Sequence, residues 1–328
     1  MTTEVRWLSA RDIDGLGITM AEIMDGVETG FAALGRGEAE MPAKIGVHPR
    51  KDCFTHAMPC HLGGSIDRAG VKCVSAYPTN PAKGLPYISG IILVTDPDTG
   101  LPRAVMDAAR VTAWRTGAAS GVYARHFGNP KTRSVAVIGT GVQGRVNLLA
   151  MKAVFPELKD VRCCNPRAAS AQRFAEEMQP QVPDAVFSVH TELQTAVNGV
   201  DVVVTCTPIT QSPVRPLTHS MLKEDCLVIA VDYDAFVHPD VFAGAHFTCD
   251  NRAQYLWTRE QGMYFQHGYP GPDDVDADMG EVCAGMTTTV REGRRGAVLM
   301  GVASHDIMTA SLVYERAAKA GVGTLVEL

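Results

Sequence analysis

"SVAVIGTGVQG", residues 134–144, is the stretch whose reading decides the fold. Its first half, SVAVIG, is a short apolar run rich in β-branched residues, the pattern of a strand buried on both faces. The continuation, VQGRVNLLAMKAVF, has helical periodicity. Between the two, a G-x-G-x-x-G spacing sets Gly139, Gly141 and Gly144. A bare structural turn is one reading of such a run. The strand before it and the helix after it are the context a dinucleotide site requires. Gly139 then permits the tight turn, Gly141 lets the backbone approach a pyrophosphate, and Gly144 allows close helix–strand packing. Thr140, Val142 and Gln143 complete the loop and helix start, whose free N–H groups and dipole attract phosphate.

Working outward, strand-like and helix-like segments alternate. DVRCCN, AVFSVH, DVVVTCTP, CLVIAVDYD and HFTCDN read as strands, and PRAASAQRFAEEMQ reads as a helix with Pro166 in its first turn. Apolar strands alternating with helices imply a parallel sheet covered on both sides. The expected fold is therefore α/β, with a doubly wound (Rossmann) dinucleotide-binding domain over residues 126–299. The end of its second strand bears on the choice of dinucleotide. NAD sites usually place an acid there for the ribose 2′-hydroxyl. This chain has Asn165 and, close behind, Arg167, whose guanidinium suits a 2′-phosphate. NADP(H) is expected to be favoured over NAD(H). Thr205 and Thr207, in DVVVTCTP, are further candidate cofactor contacts.

Residues 1–125 read differently. MAEIMDGVETGFAALGRGE is an amphipathic helix, and FTHAMPC, GVKCVSAYP, YISGIILVTDP and PRAVMDA are strand-like, with turn signals such as NPAKG and DPDTG between them. This is the pattern of a mainly antiparallel α+β domain. ARVTAWRTGAASGVYARHFG reads as the helix that crosses into the nucleotide domain. The strong helix SHDIMTASLVYERAAKA is expected to return, so that residues 1–125 and 300–328 form one discontinuous domain. GYPGPDDVDADMG, residues 268–280, reads as a long acidic surface loop or lid.

Composition narrows the function classes. Apolar residues make up 46% and charged residues 20%, with a net charge of −6. The basic residues are scattered, which argues against a nucleic-acid partner. The apolar runs are too short to span a bilayer, and MTTEVRWLSARDIDG has no leader pattern. The nine cysteines are an odd set with no C-x-x-C, as expected of reduced thiols in a cytoplasm. His48, Cys53, His56, Cys60 and His61 fit no zinc spacing, so no metal is expected.

The elements K…P-N…GLP, D-x-x-TG-x-P, T-A-x-R-T-x-A-A-S and G-x-G-x-Q, found here in GVKCVSAYPTNPAKGLPYISGIILVTDPDTGLPRAVMDAARVTAWRTGAAS and VAVIGTGVQGR, resemble the ornithine cyclodeaminase/mu-crystallin family over nearly the whole chain. The resemblance implies a substrate-binding and dimerisation domain with an inserted nucleotide domain, and a homodimer. It implies hydride transfer at the carbon bearing the nitrogen of a small imino or amino acid. Lys72 matches the lysine beside the substrate carboxylate, Arg115 the arginine that binds that carboxylate near nicotinamide and phosphates, and Asp234 the acid/base aspartate. Lys44, His56 and Met58 fall in the substrate region. His56 stands where ornithine-type cyclodeaminases keep a glutamate for the distal amine, Lys44 where they have an arginine, and His238 where a lysine is expected. An NAD(P)H-dependent oxidoreductase of imine reductase or amino-acid dehydrogenase type follows. A cyclodeaminase lyase that recycles NAD and a non-catalytic NADPH-dependent binder are the alternatives.

Overall fold

The computed structural model describes residues 4–210 and 212–328. Residues 1–3, the start of the stretch MTTEVRWLSARDIDG, lie outside them. The chain divides into two compact units, Met1–Arg115 with Val302–Leu328, and Thr116–Gly301. The break falls inside a continuous helix, ten residues ahead of the boundary expected at 125/126, because the small-residue helix belongs to both units.

The chain opens with β1 (Glu4–Leu8), α1 (Ala10–Asp14) and α2 (Met20–Gly35). A capping box starts α2: Thr19 N–H donates to Glu22 Oε2 at 2.9 Å, and Glu22 N–H donates back to Thr19 Oγ1 at 3.3 Å. Two short strands, β2 (Ala39–Glu40) and β3 (Ile45–Val47), precede β4 (Phe54–Leu62), β5 (Arg68–Ala76), β6 (Ile88–Thr95) and β7 (Pro102–Asp107). The crossing helix is α3 (Ala108–Phe127).

The second unit continues with β8 (Ser134–Ile138), α4 (Val142–Val154), β9 (Asp160–Cys164), α5 (Ala168–Met178), β10 (Val186–His190) and α6 (Leu193–Val197). Then come β11 (Val202–Thr205), β12 (Cys226–Ala230), β13 (His246–Cys249), α7 (Arg252–Glu260), β14 (Ala277–Asp278), α8 (Met279–Cys283) and β15 (Arg294–Val298). Its strands run in the order β10-β9-β8-β11-β12-β15-β13-β14, all parallel. Every residue of β11 and β12 is buried, so both sheet faces are covered, as a parallel sheet requires. The order reverses at β8, between β9 and β11, and the glycine run leaves the carboxyl end of β8 at that switch point.

The acidic segment 268–280 is a surface loop only in part: Gly268, Pro272, Asp273, Asp274 and Asp276 are exposed, but other residues of it are not. Tyr269, Val275, Ala277 and Met279 are buried, and β14 pairs with β13. Its aspartates bond backbone N–H groups: Asp276 accepts from Phe247, Asp274 from Gly271, and Asp278 caps α8. Composition signalled the loop, and the short strand at its end, held by Asp276 and Asp278, is what it did not signal.

The chain ends with α9 (Ala303–Ala320) and β16 (Thr324–Glu327) in the first unit. That unit's sheet runs β16-β1-β7-β6-β5-β4-β2, with β3 also on β4, and only the β1–β7 pair is parallel. One face, carrying Leu62, Val74, Ile92, Val94, Ala104 and Met106, packs with Ile307, Ala310 and Val313 of α9. β1, β2, β3, β14, β15 and β16 are strands the sequence patterns did not single out.

Candidate active site

In the first unit, strand register decides where Lys72 goes. It pairs with Met58 on β4 and Ile92 on β6, so its side chain shares their face, the one α9 covers. Lys72 is 1% exposed. A buried ammonium needs a partner, and α9 provides one. Asp306, in the first turn of α9 and fully buried, places Oδ2 2.7 Å from Lys72 Nζ. Its other oxygen, Oδ1, accepts from Arg115 Nε at 2.9 Å. Two buried cations therefore share one carboxylate. Burial, with Arg115 second, pushes the Lys72 ammonium down to about 7, while Asp306 works against that shift.

Lys44 is also buried, and it acts on both Lys72 and His56. Burial foremost, then Lys44, His48 and Lys72, push the His56 imidazole down to about 3, so this side chain is neutral at physiological pH. It supplies no negative charge where a diamino-acid enzyme keeps its glutamate. Met58 lies in the apolar core beside these groups. His305, fully buried next to Asp306 in the chain, is held neutral by burial and by the charges of Arg115 and Lys72, and its ring sits edge-on to Phe31. Asp306 and His305 were missed by sequence reasoning; an acid in the first turn of an otherwise apolar helix is the signal that existed.

In the second unit the three glycines differ as their roles require. Gly139 has φ +96°, and a Cβ there would lie 2.5 Å from the Cys206 carbonyl oxygen, so only glycine fits between β8 and the end of β11. A Cβ on Gly144 would lie 2.4 Å from the Gly139 carbonyl oxygen. At Gly141, the N-cap of α4, a Cβ would meet no atom within 4 Å. That open space above a helix N-terminus is what an approaching pyrophosphate needs. Val142 is exposed, Gln143 half-buried and Thr140 buried.

At the end of β9, Asn165 donates to Thr140 Oγ1 at 3.0 Å and accepts from Arg167 N–H at 2.9 Å. Arg167 is exposed at the start of α5. Thr205 and Thr207 both direct their hydroxyls to Asp232, at 2.6 Å each, and Thr207 N–H also donates to it at 2.9 Å. Burial raises the Asp232 carboxyl against the pull of those donors. Asp232 thus fixes the turn after β11 beside the glycine loop, a role that sequence reasoning did not assign.

Asp234, just beyond β12, is 1% exposed. Arg215 Nη2 donates to its Oδ2 at 2.5 Å, Arg215 Nε donates to its backbone carbonyl at 2.9 Å, and Phe265 N–H reaches Oδ2 at 3.1 Å. Tyr233, Arg215 and Phe265 around it all have left-handed backbones, with φ of 59°, 54° and 60°. Such conformations in non-glycine residues are held by their surroundings and cluster at functional sites. Nothing in the pattern around Arg215 announced this pairing. His238 instead takes the Asp240 N–H at 3.3 Å and caps the short turn Pro239–Val241.

The structure thus gathers Lys44, His56, Met58, Lys72 and Arg115 in one unit, and Gly139–Gly144, Asn165, Arg167, Thr205, Thr207 and Asp234 in the other. Comparison with known proteins identifies the family. The ornithine cyclodeaminase/mu-crystallin family model matches residues 6–321. The nodulation efficiency protein NfeD of Rhizobium meliloti is 33% identical over 99% of both chains. The Thermococcus litoralis Δ1-pyrroline-2-carboxylate reductase, solved with NADH and L-proline, is 28% identical with a TM-score of 0.88, covering 98% of this chain and 100% of its own. An archaeal alanine dehydrogenase, solved as a dimer with bound NAD, is 29% identical with a TM-score of 0.86 over 99% of each chain.

Proposed function

The chain belongs to the ornithine cyclodeaminase/mu-crystallin family, and on that premise we propose that it is a nicotinamide-dependent oxidoreductase acting at the C–N carbon of a small imino or amino acid. The observation that carries this is the buried Lys72–Asp306–Arg115 arrangement, two cations on one carboxylate. The surplus positive charge is costly to bury and is offset when a substrate carboxylate binds. The dinucleotide, when bound, supplies or accepts hydride at the carbon. Gly139, Gly141 and the start of α4 hold its pyrophosphate. Arg115 uses only Nε on Asp306, so its terminal nitrogens serve a carboxylate bidentately. Asp234 handles the proton that accompanies hydride transfer: it protonates the imine nitrogen, so that hydride adds to the iminium and leaves an amine, and it takes that proton back when an amine is oxidised.

Three finer assignments belong to the same reading. NADP(H) is preferred, because Asn165 and the exposed Arg167 replace the acid that would bind a ribose 2′-hydroxyl and repel a 2′-phosphate. The substrate carries a neutral or polar side chain, because the neutral His56 offers no anion to a terminal ammonium. The protein is a homodimer. The sheet face opposite Lys72 carries the cross-strand rows Ile45–Ala57–Cys73–Ile91 and Pro59–Val71–Leu93–Val105–Trp7, with Ile45 60% and Trp7 49% exposed, an apolar surface that a second copy would cover. No helix among the described residues is long and apolar enough to cross a membrane, and the nine free cysteines fit a reducing cytoplasm.

The test is a screen of cyclic imines, and of keto acids with amines, followed by loss of reduced-nicotinamide fluorescence with both cofactors. Net NADPH consumption with an imino acid is expected. Conversion of ornithine to proline, faster than any imine reduction and without net cofactor use, identifies a cyclodeaminase instead. Binding of cofactor and ligand with no turnover of any substrate identifies a binding protein.

A further inference from the structure

We propose that Asp306 is the positioning residue of this site: through its two oxygens it aligns Lys72 and Arg115 as one carboxylate-binding pair and keeps the Lys72 ammonium protonated for binding. The proposal rests on the carboxylate-binding role just given and assigns its control to a residue on a different element. Lys72 is on β5, Arg115 on α3, and Asp306 on α9, 191 positions beyond Arg115. Asp306 splits its oxygens, Oδ2 toward Lys72 Nζ at 2.7 Å and Oδ1 toward Arg115 Nε at 2.9 Å. A carboxylate used this way does two things at once. It cancels the repulsion that would turn two neighbouring cations apart, and it orients the Arg115 fork by occupying Nε alone. The first turn of α9 suits an anion, since the helix dipole is positive there.

The charges that face Lys72 make Asp306 decisive. Arg115 and Lys44 both disfavour its charged form, and burial disfavours it most. His56 and His305 are neutral, and the Cys60 thiol is pushed up to about 12 by burial and by Asp306 itself, so it too carries no charge. Asp306 is the one anion acting on Lys72 among these groups, and its removal takes away the chief support of the ammonium.

The test is Asp306→Asn, which keeps size and removes charge, with Asp306→Glu as the conservative variant. Lysine Nζ is followed by NMR titration, with the Lys72 signal assigned by its loss in Lys72→Met. In Asp306→Asn the Lys72 titration moves to lower pH by a unit or more. KM for the imino-acid substrate at pH 7.5 rises at least ~10-fold and recovers as pH is lowered, while dinucleotide affinity is unchanged. Asp306→Glu restores most of the titration shift. If Asp306→Asn folds and binds dinucleotide but Lys72 titrates as in the parent, the proposal is overturned. If Asp306→Asn does not fold, the same titration on Asp306→Ser decides: a Lys72 value lowered by a unit or more supports control by this carboxylate, and one unchanged from the parent overturns it. The NMR titration needs no turnover, so a parent enzyme inactive on every imine refutes the proposed function and leaves the Asp306 test standing.

Discussion

Gly141 is the position where fold and cofactor make opposite demands on one substitution. Its backbone is extended, with φ −87° and ψ −160°, a conformation open to any residue. A Cβ there touches nothing within 4 Å. Gly141→Ala is therefore expected to fold without strain and to be stabilised by up to ~1 kcal/mol, because alanine restricts the unfolded chain more than glycine does. The new methyl stands where a pyrophosphate would approach the backbone. Loss of one hydrogen bond to a charged group is worth about 1.5–3 kcal/mol, which corresponds to roughly 10- to 150-fold in Kd. Gly139→Ala is the contrasting control. Its Cβ would lie 2.5 Å from a backbone carbonyl at φ +96°, so it should lower stability as well as binding. Nicotinamide-fluorescence titration and a thermal melt of the three proteins separate the two effects. A Gly141→Ala protein that melts like the parent and binds NADPH and NADH equally well would refute a dinucleotide at this loop.

Further outcomes are expected. Arg167→Ala weakens NADPH binding and leaves NADH nearly unaffected; a parent that binds NADH at least as tightly as NADPH contradicts the assignment. Asp234→Asn lowers kcat by about 10²-fold, the scale of a lost acid/base group, with dinucleotide affinity retained; intact turnover would move the proton step to Lys72 or water. Because Lys72 titrates at about 7 in the fold against an ordinary 10.5, the carboxylate substrate binds best below pH 7, and KM rises as pH increases through it. Between those values the unfolded chain holds the extra proton, so this lysine makes stability rise with pH, and Lys72→Met removes that slope. Light scattering at micromolar concentration will give the mass of a dimer; a monomer would mean that the apolar sheet face with Trp7 and Ile45 is left uncovered.

What the sequence determined by itself is local. An apolar strand, a glycine turn and a helix start lie within eleven residues of one another in SVAVIGTGVQG, and each part constrains only its neighbours. The alternation that follows makes a parallel sheet the one way to bury those strands. Lys72, Arg115 and Asp234 stood out only through the resemblance to the family, residue by residue. The tertiary structure decided what joins distant segments. Periodicity shows that a helix such as α9 hides one face, but not which strand lies beneath it. Only the packing of α9 on β5 brings Asp306 to Lys72 and Arg115. Arg215 reaches Asp234 only because the turn after β11 folds back with a left-handed backbone at Arg215 itself. The segment 268–280 was legible only in part. Asp273, Asp274 and Asp276 do face water, as prolines and aspartates signal, but Tyr269, Val275 and Ala277 among them are buried, and β14 is too short to show a strand period. Pattern reports which surfaces must be buried, and the fold alone settles which buried charges meet.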